Sequence, residues 1–158
     1  MRIFIDLEWD QPSQEVISLG MVSENDIALY AILKDTSEHP WIQKHVISQL
    51  HNYRTVVHSE SIVYPNYTSP TLTKRTFHQS LELYLNYFDT VEIISDWVED
   101  IAHLCQLMVT GPGTKIKTPA ITFKYIPEME PPSMVPHNAL EDAYGIKHAY
   151  HSMQPKKL

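Results

Sequence analysis

The sequence contains very little cysteine and no long apolar run. Cys105 is the only cysteine, so an internal disulfide is excluded and a reducing compartment is expected. No apolar stretch approaches the roughly 20 residues that a membrane-spanning helix requires. Asp6, Glu8 and Asp10 interrupt any secretory signal at the amino terminus. We therefore expect a cytoplasmic protein without a membrane partner.

The chain is also short of positive charge. It has 12 Lys and Arg residues against 19 Asp and Glu residues, a formal net charge of −7. Contacts with phosphate require cations, so this balance argues against a long nucleic-acid footprint. A protein that concentrates its acids around bound metal ions is an exception, because the ions bring positive charge to the phosphate. Such a protein is expected to hold a short single-stranded end rather than a long duplex.

The length and composition are those of an ordinary globular protein. The chain has 158 residues, of which 43% are hydrophobic and 20% are charged. This is enough to bury a substantial core in one domain. No internal repeat or domain boundary is visible in the sequence, so we predict a single domain over residues 1–158, with 155–158 as a frayed tail.

The hydrophobic pattern predicts an alternation of strands and helices. Strands are predicted at Arg2–Asp6, Val16–Ser23, Ile27–Leu33, Val91–Ile94 and Pro119–Ile126. Helices are predicted near Pro40–Leu50, Arg75–Phe88, Val98–Met108 and Asn138–Met153. Residues 51–73 are predicted to be mostly loop, and the proline-rich segment 127–136 to be a connector without helix. This order favours an α/β fold, with a mixed sheet of five to six strands and helices on both faces.

Two acids at the end of the first apolar run are the most informative residues. Asp6 and Glu8 are two positions apart, so both carboxylates lie on one face of a strand. Like charges at this separation are unfavourable unless a cation lies between them, and a divalent metal is the usual solution. An isolated Asp-x-Glu is commonly a solvated turn. Its significance here depends on His137 and Asp142, which could supply a proton acceptor and a further carboxylate.

Three motifs, in order along the chain, resemble those of DEDD-type 3′–5′ exonucleases. Asp6-x-Glu8, followed by the step Ile17-Ser-Leu-Gly20, resembles their first motif. Asp100, which opens a predicted helix after a strand, is similar to the second motif. His137-Asn-Ala-Leu-Glu-Asp142-Ala resembles the third motif in the histidine branch, termed DEDDh. The Leu-Cys-Gln-Leu run after Asp100 and the segment Trp41–Val46 resemble the subgroup of ribonuclease AS-like 3′–5′ exoribonucleases, whereas residues 52–73 and 109–135 match poorly.

The resemblance implies a ribonuclease H-like fold and a two-metal-ion hydrolase of phosphodiesters. Asp6, Glu8, Asp100 and Asp142 would hold two Mg²⁺ or Mn²⁺ ions about 4 Å apart. His137 would accept a proton from the attacking water, as an imidazole that titrates near neutral pH can do. The implied reaction removes nucleoside 5′-monophosphates from the 3′ end of single-stranded RNA. The subgroup resemblance also implies a homodimer.

Several site assignments stay open at this stage. Asp96, four residues before Asp100, could fill the position of the second motif instead. Trp9 could stack on the terminal base or be buried against the next helix. Leu19 and Gly20 could let the nucleotide approach the backbone closely, since glycine has no side chain to block it.

Cys105 and Glu141, which lie close to the second and third motifs, are expected to have no catalytic role. Cys105 is predicted to be a core residue of its helix rather than a nucleophile. Glu141 is predicted to lie on a solvated helix face. Neither residue is assigned to the site.

The substrate and the turnover also stay open. Nothing in these residues recognises a 2′-hydroxyl group, so the preference for RNA follows only from the subgroup resemblance. A 3′–5′ DNA exonuclease or a short-oligonucleotide hydrolase with the same site is the nearest alternative. A nucleic-acid-binding module that has lost turnover is the alternative from another class of protein.

Overall fold

The computed structural model describes residues 1–52 and 69–154. Most of the predicted loop at 51–73 and the tail at 155–158 therefore lie outside the described residues. The described strands are β1 (Arg2–Asp10), β2 (Glu15–Ser23), β3 (Ala28–Ile32), β4 (Thr90–Ser95), β5 (Val109–Gly111), β6 (Thr114–Lys115) and β7 (Ala120–Tyr125). The described helices are α1 (Pro40–His45), α2 (Lys74–Asn86), α3 (Val98–Leu107) and α4 (Ala139–Met153), with a 3₁₀ turn at Ile47–Gln49.

Five strands form one mixed sheet in the order β3-β2-β1-β4-β7. Strand β2 is antiparallel to β1 and β3, whereas β4 is parallel to β1 and β7. The predicted α/β fold with a mixed sheet is thus confirmed, at the lower of the two expected strand numbers. Strands β5 and β6 form a separate small hairpin that the sequence analysis did not predict.

Helices cover both faces of the sheet, and the alternation of β1 explains how. Ile3, Ile5 and Leu7 are buried in a cluster with residues of α2 and α3. Phe4 points to the other face and is buried with residues of α1 and α4. Each of these side chains contributes roughly 1.5–3 kcal/mol through its burial. Among the described helices, none has the length and apolar character to cross a bilayer.

The start of α4 is tied to the sheet and to the segment after α1. Asn138 is fully buried; its side-chain oxygen accepts a hydrogen bond from the backbone N–H of Glu141, and its amide donates to the carbonyl of Gln49 at 2.8 Å. A Cβ atom added at Gly20 would overlap the carbonyl of Ala139. Glycine at this position lets the backbone of β2 lie directly against the first turn of α4.

Three sequence predictions need correction. Strand β1 continues to Asp10 rather than ending at Asp6, because β2 pairs with it along its whole length. Cys105 is exposed, because α3 buries Asp100, His103 and Leu104 instead. Glu141 is buried, since the first turn of α4 packs against the sheet. The proline-rich segment 127–136 contains no helix, as predicted.

Candidate functional site

Five carboxylates converge at the end of the two central strands. Asp6 and Glu8 lie on β1, beyond Phe4, which is the last residue that β1 pairs with β4. Because β1 and β4 are parallel, their carboxyl ends reach the same edge of the sheet. The other acids come from that edge and from the first turns of the two nearest helices: Asp96 after β4, Asp100 in α3 and Asp142 in α4.

The carboxylates form two groups that share Asp6. In the first group, oxygen atoms of Asp6, Glu8 and Asp142 lie within 4.8 Å of one another. In the second group, oxygen atoms of Asp6, Asp96 and Asp100 also lie within 4.8 Å of one another. Oxygen-only groups of this kind suit hard divalent cations such as Mg²⁺ and Mn²⁺ rather than zinc or copper.

The negative charges within these groups repel one another. Burial raises the pKa of Asp6 well above its usual value, and the neighbouring charges of Asp100 and Glu8 raise it further. Burial raises the pKa of Asp100 to about 8. Burial and the charge of Glu8 raise the pKa of Asp142 to about 6. Each carboxylate would therefore be stabilised in its ionised form by a bound cation.

One oxygen atom of Asp6 is buried without a hydrogen-bond partner among the described residues, so a bound cation would stabilise it as well. Asp6 Oδ2 is inaccessible to solvent, and no described residue forms a hydrogen bond with it. A buried anionic oxygen without a partner is costly, by about 1–3 kcal/mol or more. Asp6 is also the residue that both groups share. The donor set and this unpaired oxygen together fit a site for divalent metal ions.

The structure brings both candidates for the second motif next to Asp6. Asp100 is only 1% exposed, and Ser95 Oγ donates a hydrogen bond to its Oδ2 at 2.9 Å. Asp96 is half-buried, and burial raises its pKa. The choice of Asp100 over Asp96 thus stays a prediction, and both residues are available as ligands.

His137 lies beside the first carboxylate group in a strained conformation. Its φ of 65° is in the left-handed region, which is unfavourable for a residue with a side chain. Its backbone N–H donates to Asp142 Oδ2 at 3.0 Å, which helps to hold that conformation. Its Nδ1 is 3.7 Å from Glu8 Oε1, and the interaction with Glu8 raises the pKa of His137.

Asp6, Glu8, Asp96, Asp100 and His137 line a cleft of about 920 Å³, whereas Asp142 lies beside Glu8 and does not line it. Three tryptophans line this cleft, Trp9, Trp41 and Trp97, and they are the only tryptophans in the chain. Among the described residues that line it there is no lysine or arginine. No binding role was predicted for Trp41 or Trp97 from the sequence. The position of Trp97, directly after Asp96, was the available signal for one of them.

The three residues predicted to contact substrate occupy different positions. Trp9 lines the cleft but is partly buried, with its ring centroid 4.8 Å from that of His103. Leu19 is fully buried in the core cluster beneath α2 and α3. Gly20 is buried against Ala139. The structure therefore does not bring Leu19 or Gly20 to the surface of the cleft, and the close approach that Gly20 permits is to α4.

Comparison with known proteins does not place the chain in a family. No protein-family model matches it, and no curated protein is significantly similar to it. The resemblance to DEDD-type exonucleases thus rests on three short motifs. A function has to be inferred from the geometry and the chemistry of the cleft.

Proposed function

We propose that the protein is a metal-dependent 3′–5′ exoribonuclease with a ribonuclease H-like fold. The observation that carries this proposal is the pair of carboxylate groups that share Asp6, beside His137, at an open cleft that all of these residues except Asp142 line. Two-metal hydrolysis of a phosphodiester requires two cation sites side by side, and a shared carboxylate provides such a pair. The five-stranded mixed sheet with helices on both faces supports the fold assignment.

The carboxylates divide naturally between two ions. Asp6, Glu8 and Asp142 would hold one Mg²⁺ or Mn²⁺ ion, and Asp6 with Asp100 or Asp96 would hold the other. Bound ions would supply positive charge at the phosphate and acidify a water molecule. Without cations, the negative charge of the cleft repels phosphate oxygens, so the protein is expected to be inactive in a chelator.

His137 is proposed to accept a proton during hydrolysis. Its Nδ1 faces Glu8, which leaves Nε2 as the nitrogen that can take the proton from the attacking water. The hydrogen bond from its backbone to Asp142 positions the ring relative to the first carboxylate group. Glu8 also stabilises the imidazolium that forms, because its carboxylate is 3.7 Å from the ring.

The substrate is proposed to be the 3′ end of single-stranded RNA. An open cleft with accessible indoles suits unpaired bases, and the acidic protein lacks a cationic track among its described lining residues. Only the resemblance to ribonuclease AS-like enzymes supports a preference for RNA over DNA and a homodimeric state. A DNA exonuclease, or a hydrolase of short oligonucleotides, would use the same site.

Matched RNA and DNA oligonucleotides test this function. Each strand, labelled at its 5′ end, is incubated with Mg²⁺, with Mn²⁺ or with a chelator. The expected result is a ladder of products shortened from the 3′ end, release of nucleoside 5′-monophosphates, and faster loss of RNA. Asp142→Asn, prepared identically, controls for contaminating nucleases.

Each alternative predicts its own result. Faster loss of DNA would replace the RNA assignment, and cleavage confined to the shortest strands would indicate a short-oligonucleotide hydrolase. Binding of the strands without any cleavage would favour a binding module and would contradict the proposed activity.

A further inference from the structure

The three tryptophans of the chain are concentrated in one cleft, which metal-dependent hydrolysis alone does not require. All three line the same cleft, although they come from distant parts of the chain. Trp41 is 50% exposed and Trp97 is 54% exposed. Tryptophan has a large apolar surface and usually buries most of it, so two half-exposed indoles in one acidic cleft suggest a ligand with flat, apolar faces.

Trp41 is held next to the first carboxylate group. Its ring stacks on that of His45, with centroids 4.8 Å apart and planes inclined by 29°. The ring of His137 meets it edge-on, with centroids 5.3 Å apart. His137 in turn lies 3.7 Å from Glu8. The indole is thus oriented by two imidazoles and keeps half of its surface accessible beside one metal position.

Trp97 is held next to the second carboxylate group. It directly follows Asp96, and its indole Nε1 donates a hydrogen bond to Glu99 Oε2 at 2.9 Å. This bond holds the polar edge of the ring, while about half of the residue's surface remains accessible. The two exposed indoles therefore accompany different carboxylate groups, and only Asp6 belongs to both groups.

We propose that Trp41 and Trp97 are stacking platforms for the two unpaired bases on either side of the cleaved phosphodiester. This inference rests on the proposed function, because the scissile phosphate would have to lie at the shared Asp6. Every base has an aromatic face, so recognition by two indoles tolerates any base sequence. It also provides affinity without lysine or arginine. A dinucleotide would accordingly fill the recognition site.

Intrinsic fluorescence can measure this binding directly, because every tryptophan of the chain lies in the cleft. The full-length protein with Mg²⁺ is titrated with a hydrolysis-resistant dinucleotide and with two analogues that lack either the 5′ or the 3′ base. The intact dinucleotide is expected to quench the fluorescence. Removal of either base is expected to weaken binding about tenfold.

Substitutions then assign each base to its platform. Trp41→Leu should bind the intact dinucleotide about tenfold more weakly and should become insensitive to the loss of one base. Trp97→Leu should become insensitive to the loss of the other base. Trp41→Phe and Trp97→Phe retain an aromatic face and should recover part of the affinity. Each variant keeps two tryptophans in the cleft, so the fluorescence signal remains.

Tyr87→Leu is the matched control, since Tyr87 is 62% exposed and does not line the cleft. It should bind like the wild type. Equal affinity for the intact dinucleotide and the analogues without a base would overturn the proposal. So would full sensitivity to both bases in both leucine variants, provided that their melting temperatures show that they are folded.

The two proposals fail in different ways. Base-dependent binding without cleavage of RNA would remove the exonuclease activity and leave the stacking platforms. Cleavage of RNA with base-independent binding would leave the activity and remove the platforms.

Discussion

The first turns of α3 and α4 each bring an aspartate close to Asp6, but they do so in different ways. α4 begins at a side-chain cap, Asn138, and its preceding residue, His137, is held by a hydrogen bond to Asp142. α3 begins after Trp97 without a side-chain cap. Asp100 is almost fully buried, whereas Asp142 is half-buried.

This difference shows which electrostatic effect dominates at each helix. Aspartates in the first turn of a helix are favoured by its dipole, by about 0.3–1 kcal/mol, which would lower their pKa. Burial acts in the opposite direction and is larger, since the pKa of Asp100 rises to about 8 and that of Asp142 to about 6. The position on α3 therefore depends more on a bound cation than the position on α4, whose start has its own hydrogen bonds.

The largest expected effect comes from removing a carboxylate charge. Asp142→Asn and Asp100→Asn should each lower kcat/KM on the order of 10³-fold, because each removes a proposed metal ligand and part of the negative charge that would bind a cation. Asp96→Asn should lose less, about 10–100-fold, if Asp100 is the principal ligand. Steady-state cleavage of a labelled RNA strand measures all three variants. A larger loss for Asp96→Asn than for Asp100→Asn would reverse the assignment of the second motif.

Loss of the proposed proton acceptor is expected to have the next largest effect. His137→Ala should lower kcat about 10²–10⁴-fold with little change in KM, as is usual for removal of a general base. The pH profile provides a check, since Glu8 raises the pKa of His137. Activity of the wild type should fall as the pH decreases through that pKa, and the residual activity of His137→Ala should lack this step. An unchanged kcat in the variant would exclude His137 from the chemistry.

The caps of α4 and α2 should differ in their contribution to stability. Asn138→Ala removes the cap and also the hydrogen bonds that its amide donates to the carbonyl of Gln49 and the hydroxyl of Tyr30, so we expect a loss of about 2–3 kcal/mol. Thr73→Ala removes only an exposed cap, whose hydroxyl accepts from Thr76, and should cost about 1 kcal/mol. Chemical denaturation measures both values. Equal losses would show that the buried contacts of Asn138 contribute little.

A smaller effect should appear in the pH dependence of stability without metal. The folded protein binds protons at Asp100 and Asp142 more tightly than the unfolded chain, whose ordinary carboxyl pKa is 3.8. This contribution to stability is therefore complete below a pH of about 3.8 and is lost progressively as the pH rises, up to about 6 for Asp142 and about 8 for Asp100. In a chelator, the melting temperature should fall over this range. Mn²⁺ should reverse most of the fall, and Asp100→Asn should reduce it.

Local pattern was sufficient to predict most of the fold, because its strands and helices bury regular apolar faces. The order of elements and the mixed sheet followed from that periodicity, and strand and helix ends were mostly placed within two residues. The exceptions have physical causes. The end of β1 was missed because Asp6, Glu8 and Asp10 are polar, yet the pairing with β2 continues past them. The short β5–β6 hairpin has little apolar pattern of its own.

The candidate site was only partly predictable. Asp6, Glu8, Asp142, His137 and either Asp100 or Asp96 were selected from motifs, and the structure brings these residues together. Gly20 was noted as a position of close approach, but the partner is the backbone of α4, which no local pattern reveals. Contacts between segments that are far apart in the chain depend on the packing of whole elements.

The amino-acid sequence by itself determined the elements and the chemical types of the site residues, because periodicity, capping and charge are local properties. Tertiary structure decided that Asp6 belongs to two carboxylate groups and that Asp96 and Asp100 are both within reach of it. It also decided that three distant tryptophans line one cleft. These outcomes depend on how strands and helices pack, since packing alone determines which distant side chains share a space and which of them lose their contact with water.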